Sequence, residues 1–117
     1  MAKPILIVDD NPNMSSLLSD MLEVFDYTSE RAGDGHEALT KLKDQSFSMV
    51  ITDMRMPNMT GLELIEQIKN QYPRIPVVLI SGYSINQFDD EAGPKPDGFL
   101  AKPFMMSDVE KLLYSLL

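Results

Sequence analysis

Residues 49–57 read M-V-I-T-D-M-R-M-P, a short apolar run that ends in one carboxylate, Asp53, and is stopped by Pro57. The run is nearly continuous rather than alternating, which is typical of a strand buried on both faces of a parallel sheet. Four further stretches are predicted strands: 5–8 and 77–80, which are equally apolar, and the weaker 28–32 and 98–101. The position of Asp53 at the end of such a strand decides how the rest of the chain is interpreted.

Apolar residues at helical spacing fill the intervals between these strands, so that each predicted helix has one apolar stripe. The stripes consist of Met14, Leu17, Leu18, Met21, Leu22 and Phe25, then Leu64, Ile65, Ile68 and Tyr72, and finally Val109, Leu112, Leu113 and Leu116. Helix starts are predicted at Asn11-Pro12, Asp34…Glu37, Thr60…Glu63 and Ser107…Glu110.

Five strands alternating with five helices predict an α/β fold, a doubly wound parallel sheet of strand order 2-1-3-4-5. The segment between strands four and five departs from the pattern, because it contains Gly93, Pro94, Pro96 and Gly98. Since proline interrupts helices, the fourth helix is predicted to be short, about two turns at most.

Length and charge restrict the classes of function. With 117 residues the chain is predicted to form a single domain over 1–117. The net charge of −8 disfavours direct binding to nucleic acid or anionic membranes. The absence of cysteine excludes disulfides and a thiol nucleophile, and the longest apolar runs are too short for a signal peptide or a membrane span. We therefore expect a soluble, cytoplasmic protein.

Polar residues follow four of the predicted strands. Asp9-Asp10, Asp53, Ser81 and Lys102 each stand at or just beyond a strand's carboxyl end. In a parallel sheet these ends meet at one edge, so the side chains should share one crevice. Carboxylates 4 Å apart repel by about 4 kcal/mol per pair at an effective dielectric constant of 20, so a cation is expected among them. Mg²⁺, which binds carboxylates, water and phosphate oxygens, fits best.

The same crevice suits phosphoryl transfer. A carboxylate such as Asp53 can accept a phosphoryl group as an acyl phosphate, while Lys102 and Ser81 suit phosphate oxygens. Positioning and charge neutralisation supply most of the catalysis in such transfers.

At this point the sequence resembles a known family, the receiver domains of bacterial two-component response regulators, over the whole chain. The resemblance rests on four motifs in order: Asp9-Asp10 after I-L-I-V, D-M-R-M-P-N-M-T-G at 53–61, L-I-S-G at 79–82 and F-L-A-K-P-F at 99–104. It implies the receiver fold and phosphorylation of Asp53 by a phosphohistidine on a sensor histidine kinase or a histidine phosphotransfer protein.

The resemblance also implies a metal site. Asp10, Asp53 and the backbone carbonyl of Arg55 would ligate Mg²⁺, and Asp9 would act mostly through a bound water. The phosphoryl oxygens would be held by Ser81 and by Lys102.

Two further roles follow from the same resemblance. A cis peptide before Pro103 would aim Lys102, and Phe99 would be the aromatic switch that follows the movement of the Ser81 hydroxyl.

Arg55 and Tyr83 each lie two residues beyond a site residue, at positions that in the family flank the path of the attacking water. We hypothesise that these bulky side chains slow self-hydrolysis of the acyl phosphate. A phosphoryl half-life that shortens when Tyr83 is replaced by Ala would support this; an unchanged half-life would contradict it. The short fourth helix makes dimerisation through the family's usual output face doubtful.

The predicted function is a phosphorelay switch that catalyses only its own phosphorylation and dephosphorylation and acts on a downstream protein partner or a covalently linked output domain. A haloacid dehalogenase-type phosphatase would need an Asp at position 55, and a flavin mononucleotide site conflicts with the charge of Asp9-Asp10. P-loop hydrolysis lacks its motif. A receiver that binds its partner without phosphorylation remains the alternative, and the chain is either a stand-alone receiver or part of a longer regulator or hybrid kinase.

Overall fold

A five-stranded parallel sheet of order β2-β1-β3-β4-β5 organises the protein, in a computed structural model that describes residues 3–56, 58–81 and 95–117. In chain order the elements are β1 (Ile5–Val8), α1 (Pro12–Val24), β2 (Ser29–Ala32), α2 (Gly35–Asp44), β3 (Met49–Asp53), α3 (Gly61–Gln71), β4 (Val77–Ser81), β5 (Gly98–Ala101) and α4 (Met106–Leu116). The predicted α/β fold and strand order are confirmed. The predicted short helix between strands four and five lies outside the described residues.

The central strands are almost entirely apolar because their alternate side chains pack into two separate cores. One core, the α2–α3 core, lies under α2 and α3 and takes Leu6 and Val50 from the sheet. The other, the α1–α4 core, takes Ile5 and Ile51. Period-two alternation therefore places the apolar residues of β1, β3 and β4 in one core or the other, as expected for a sheet covered on both faces, while the polar Asp53 and Ser81 end β3 and β4.

Side-chain caps start three helices where the sequence predicted. The side chain of Asn11 accepts a hydrogen bond from the backbone N–H of Asn13, and Asp34 accepts one from Glu37 N–H. Thr60 and Glu63 form a complete capping box, and the bond from the Thr60 backbone N–H lowers the pKa of the Glu63 carboxyl.

The predicted capping box at Ser107…Glu110 is wrong. Helix α4 begins at Met106, with Met105 as its N-cap, and the Asp108 carboxylate accepts the Met105 backbone N–H at 2.7 Å. The Asp108 carboxylate therefore satisfies an N-terminus two residues before the predicted one, and Phe104, just ahead of it, packs against the α1–α4 core.

The strand register brings the carboxyl ends level. Val8 pairs with Thr52, Asp53 with Ile80, and Ser81 with Ala101. Residues immediately beyond β1, β3, β4 and β5 therefore meet at one edge of the sheet. Within the described ranges, no helix has both the length and the apolar character needed to cross a membrane.

Candidate functional site

Three carboxylates converge at the carboxyl edge of the sheet. Asp53 is the last residue of β3 and is buried, Asp9 follows β1 and is also buried, and Asp10 beside it is exposed. One oxygen of each carboxylate lies within 4.8 Å of the other two. The predicted acidic cluster is therefore present.

Asp9 is held in an electrostatically unfavourable position. Its Oδ1 accepts the backbone N–H of Asn11 at 2.9 Å, but its Oδ2 is buried and has no hydrogen-bond partner in the described part of the chain. Burial is the main cause that raises the pKa of the Asp9 carboxyl, and the charge of Asp53 adds to it, while the Asn11 hydrogen bond opposes it. A buried polar oxygen without a partner costs about 1–3 kcal/mol, which a bound ligand could recover.

Lys102 places a positive charge beside the carboxylates at the strand ends. Its Nζ lies 3.3 Å from Asp53 Oδ1, and its side chain is about one-third exposed while that of Asp53 is nearly buried. The backbone N–H of Lys102 donates to Ser81 O at 2.9 Å, which ties the residue to the end of β4. The peptide bond between Lys102 and Pro103 is cis, as predicted.

The carboxylate cluster fits a hard divalent cation. Oxygen ligands of an octahedral Mg²⁺ ion are about 3 Å apart when adjacent and about 4 Å apart when opposite, so carboxylate oxygens within 4.8 Å of one another can approach one ion, or a water bound to it, by side-chain rotation. Asp9 Oδ2 adds a buried acceptor that has no donor among the described residues. Lys102 offsets one of the three carboxylate charges, and excess negative charge on these side chains favours a cation over an anion.

Ser81 and Phe99, the two residues of the predicted switch, lie on the neighbouring strands β4 and β5. Ser81 is buried at the end of β4, on the face of the sheet that Leu79 also occupies. Phe99 pairs with Leu79 across the β4–β5 ladder and packs, half-buried, against the α2–α3 core. The serine and the aromatic ring are therefore on the same face, two positions apart along the β4 row.

Of the two residues predicted to slow hydrolysis of the acyl phosphate, Arg55 and Tyr83, the structure describes only Arg55. Arg55 is exposed in the loop after β3, two residues beyond Asp53. Tyr83 lies outside the described residues. The hypothesis about acyl phosphate lifetime therefore stays a prediction.

Gly61 is a site residue that sequence reasoning missed. A Cβ atom built on it would lie 2.4 Å from the Asp53 carbonyl oxygen and 3.0 Å from Met54 Cα. Its own N–H donates to Met54 O at 2.9 Å. The first residue of α3 therefore sits directly on the backbone of the acidic residue. The motif at 53–61 contains this glycine, but only the tertiary contact explains it.

Replacing Asp9 by Asn should stabilise the metal-free protein at neutral pH. The pKa of the Asp9 carboxyl is higher in the folded state than its ordinary value of 3.8 in the unfolded chain. Ionisation of Asp9 therefore does not lower the free energy of unfolding at a pH below 3.8, but it lowers that free energy increasingly as the pH rises through the raised pKa. Asn keeps the acceptor for Asn11 and removes one charge. We expect the free energy of unfolding in EDTA to rise by about 1 kcal/mol, measured by urea titration at pH 7.

Comparing the stability of the two proteins in EDTA and in Mg²⁺ tests whether the Asp9 charge is the cause. Mg²⁺ should stabilise the wild-type protein more than the Asp9→Asn variant, because binding to the folded state adds to its stability. An Asp9→Asn variant that is less stable than wild type in EDTA would contradict the argument.

Comparison with known proteins agrees with this geometry. The chain is 30% identical to the chemotaxis protein CheY4 of Vibrio cholerae, with a TM-score of 0.90 and complete coverage of both chains. It is 31% identical to the response regulator TrrA of Thermotoga maritima, crystallised in complex with Mg²⁺–BeF, with a TM-score of 0.88 and coverage of 98% of this chain and 99% of that one.

Among curated proteins, the chain is 29% identical over 119 residues to PhoP of Bacillus subtilis, a transcriptional regulator of alkaline phosphatase synthesis. The match covers all of this chain but only 49% of PhoP, so the chain spans about half the length of that relative. A family model described as the response regulator receiver domain matches residues 5–114. Because that match includes all five strands and the acidic cluster, the chain belongs to the response regulator receiver domain family of two-component signalling.

Proposed function

We propose that the chain is a phosphoacceptor switch in which Asp53 receives a phosphoryl group in a Mg²⁺-dependent reaction. The observation that carries the proposal is the carboxylate cluster, Asp9, Asp10 and Asp53, with the Lys102 ammonium 3.3 Å from Asp53 Oδ1. Receiver domains are signalling switches rather than conventional enzymes, and this chain would change state rather than turn over a metabolite.

In the transfer, a carboxylate oxygen of Asp53 attacks the phosphorus of a phosphohistidine. A new oxygen–phosphorus bond forms while the phosphorus–nitrogen bond breaks, and the electron pair of that bond stays on the imidazole nitrogen, which takes up a proton. The position of Asp53 at the end of a rigid, fully buried strand supports this role, because phosphoryl transfer depends mainly on positioning.

The metal site would be formed by Asp10, Asp53 and the backbone carbonyl of Arg55, with Asp9 acting mostly through a water. When bound, Mg²⁺ neutralises the charge that develops on the phosphoryl oxygens. Asp9 then contributes a buried negative charge, and its unpartnered Oδ2 is the protein atom best suited to accept a hydrogen bond from a coordinated water.

Lys102 and Ser81 would hold the phosphoryl oxygens. Lys102 already forms an ion pair with Asp53, so formation of the acyl phosphate gives it new acceptors in the same place. Ser81, at the end of the neighbouring strand, would donate its hydroxyl to a phosphoryl oxygen.

The change of state would run from Ser81 to Phe99. Both lie on the α2–α3 side of the sheet, so a shift of the serine towards the phosphoryl group changes the space available to the aromatic ring. Such a ligand-dependent shift between two populations is how a local phosphorylation alters a partner surface.

Receiver domains interact with histidine kinases, and we propose that a sensor histidine kinase or a histidine phosphotransfer protein is the donor for this one. As a single receiver domain over 1–117 in the cytoplasm, it would act on a downstream protein or on a linked output domain. The net charge of −8 supports a protein partner rather than nucleic acid.

The test is to incubate the protein with Mg²⁺ and acetyl phosphate and to measure its intact mass. We expect a gain of one phosphoryl group that is lost when EDTA replaces Mg²⁺. Mg²⁺ binding without any mass gain, from acetyl phosphate or from a phosphorylated histidine kinase, would favour the alternative of a receiver that binds its partner without phosphorylation.

A further inference from the structure

The first turn of α2 is in unusually close contact with the loop between β3 and α3. A Cβ atom built on Gly35 would lie 2.6 Å from Met59 Sδ and 3.1 Å from both Met59 Cβ and Cγ. Gly35 is buried, and no glycine among the described residues has a positive φ. Its backbone conformation would therefore accept alanine, and only the space taken by Met59 requires glycine there.

Met59 is one of three methionines that anchor this loop, residues 54–60, against the α2–α3 core. Met54 donates its N–H to Ile80 O at 3.0 Å, and the Thr52 hydroxyl donates to Met56 Sδ at 3.7 Å. Met59 secures the far end of the loop. Asp53 stands at the near end, and Arg55 lies between the anchors.

We propose that Gly35 is a positioning residue for the metal site, because it leaves the room in which Met59 holds the loop that carries the Arg55 carbonyl. The inference rests on the proposed function, in which that carbonyl is a Mg²⁺ ligand. It assigns a role to α2, an element that contributes no residue to the carboxylate cluster itself.

The distances indicate that the loop would have to move. To accept a methyl group on Gly35, the sulfur of Met59 must retreat by about 0.8 Å to an ordinary contact of 3.4 Å. Rotation of the flexible side chain can move the sulfur, but Met59 Cβ at 3.1 Å is bound to the backbone and transmits part of the shift. The Met59 Cβ itself must retreat by about 0.3 Å to reach 3.4 Å, a displacement comparable with the roughly 0.5 Å within which functional groups are held.

The test uses four variants of the full chain: Gly35→Ala, Gly33→Ala, Met59→Ala and the double variant Gly35→Ala/Met59→Ala. Gly33→Ala is a matched control, since a Cβ there would meet only Glu37 Oε1, at 3.5 Å. The dissociation constant of Mg²⁺ is measured from backbone amide shifts in an NMR titration, and the shift of the Arg55 amide reports the loop directly. Unfolding midpoints are recorded for each variant.

We expect Gly35→Ala to weaken Mg²⁺ binding about ten-fold, the scale on which residues behind a metal ligand act, and to shift the Arg55 amide before any metal is added. Gly33→Ala should bind like wild type. Met59→Ala should also weaken binding, because it releases the far end of the loop, and the double variant should bind no more weakly than Met59→Ala alone, since the clash at Gly35 needs the Met59 side chain. A purely structural role would lower stability without this dependence on Met59.

Wild-type affinity in Gly35→Ala, or a double variant that binds Mg²⁺ more weakly than Met59→Ala alone, would overturn the inference. If Gly35→Ala does not fold, Met59→Ala alone decides: released at its far end, the loop should bind Mg²⁺ more weakly, and unchanged affinity overturns the inference. Failure of the wild-type protein itself to bind Mg²⁺ is a distinct result, because it rejects the proposed function and this inference with it.

Discussion

The Asp53→Asn variant should show no mass gain with acetyl phosphate and Mg²⁺ under conditions that phosphorylate the wild-type protein completely. The amide is nearly isosteric with the carboxylate, so β3 should keep its place, but it lacks the charged oxygen that attacks phosphorus. We expect the rate to fall by at least about a thousand-fold, since removing a nucleophile has effects of this size or larger in other covalent catalysts. Intact mass measured over time gives the rate.

Asp44→Asn provides the control for charge removal. Asp44 is exposed at the last position of α2, remote from the strand ends that bear the cluster, and its replacement removes the same unit of charge. It should be phosphorylated at the wild-type rate. Undiminished phosphorylation of Asp53→Asn would contradict the assignment and would direct attention to Asp9 and Asp10, the other carboxylates of the cluster.

Replacing Gly61 by Ala should destabilise the protein by about 2 kcal/mol, within the range for inserting a methyl group into a packed site. The new Cβ would lie 2.4 Å from the Asp53 carbonyl oxygen and 2.9 Å from Leu79 Cδ1. Because the first of these atoms belongs to the backbone of the acidic residue, the collision is relieved only if α3 or the end of β3 moves. A lower urea midpoint with an unchanged slope would show the loss of stability.

The sign of the change in stability on Gly61→Ala distinguishes the steric contact with Asp53 from the helix propensity of alanine. Gly61 is the first residue of α3 and does not have a positive φ, so alanine there would otherwise stabilise the helix by up to about 1 kcal/mol. Gly33→Ala, which meets open space apart from one contact at 3.5 Å, should change stability by less than about 0.5 kcal/mol. A Gly61→Ala variant as stable as wild type would show that the two elements can separate without cost. Its phosphorylation rate should fall as well, because the displaced atom is part of Asp53.

Local patterns were sufficient for the architecture. Continuous apolar strands, helical stripes and capping residues at Asn11, Asp34 and Thr60 are properties of short segments, and the structure confirms them except at Leu17, which is exposed. The acidic cluster was predictable for a topological reason, because residues at the carboxyl ends of parallel strands meet whatever lies between them in the chain. The start of α4 was predicted wrongly, because Asp108 rather than Glu110 accepts the backbone N–H at the N-terminus of the helix.

Local sequence patterns are enough to predict the fold, the order of the strands and the identity of the residues gathered at their ends, because the hydrophobic period and the strand ends can be identified in short segments. The importance of particular glycines and the difference in burial between the acids depend instead on packing. Gly35 and Gly61 are required by atoms of Met59 and Asp53 that lie distant in sequence or across a turn, and packing buries Asp9, which raises the pKa of its carboxyl. Interatomic distances and burial depend on how helices and strands pack together, and a short stretch of sequence does not specify that packing.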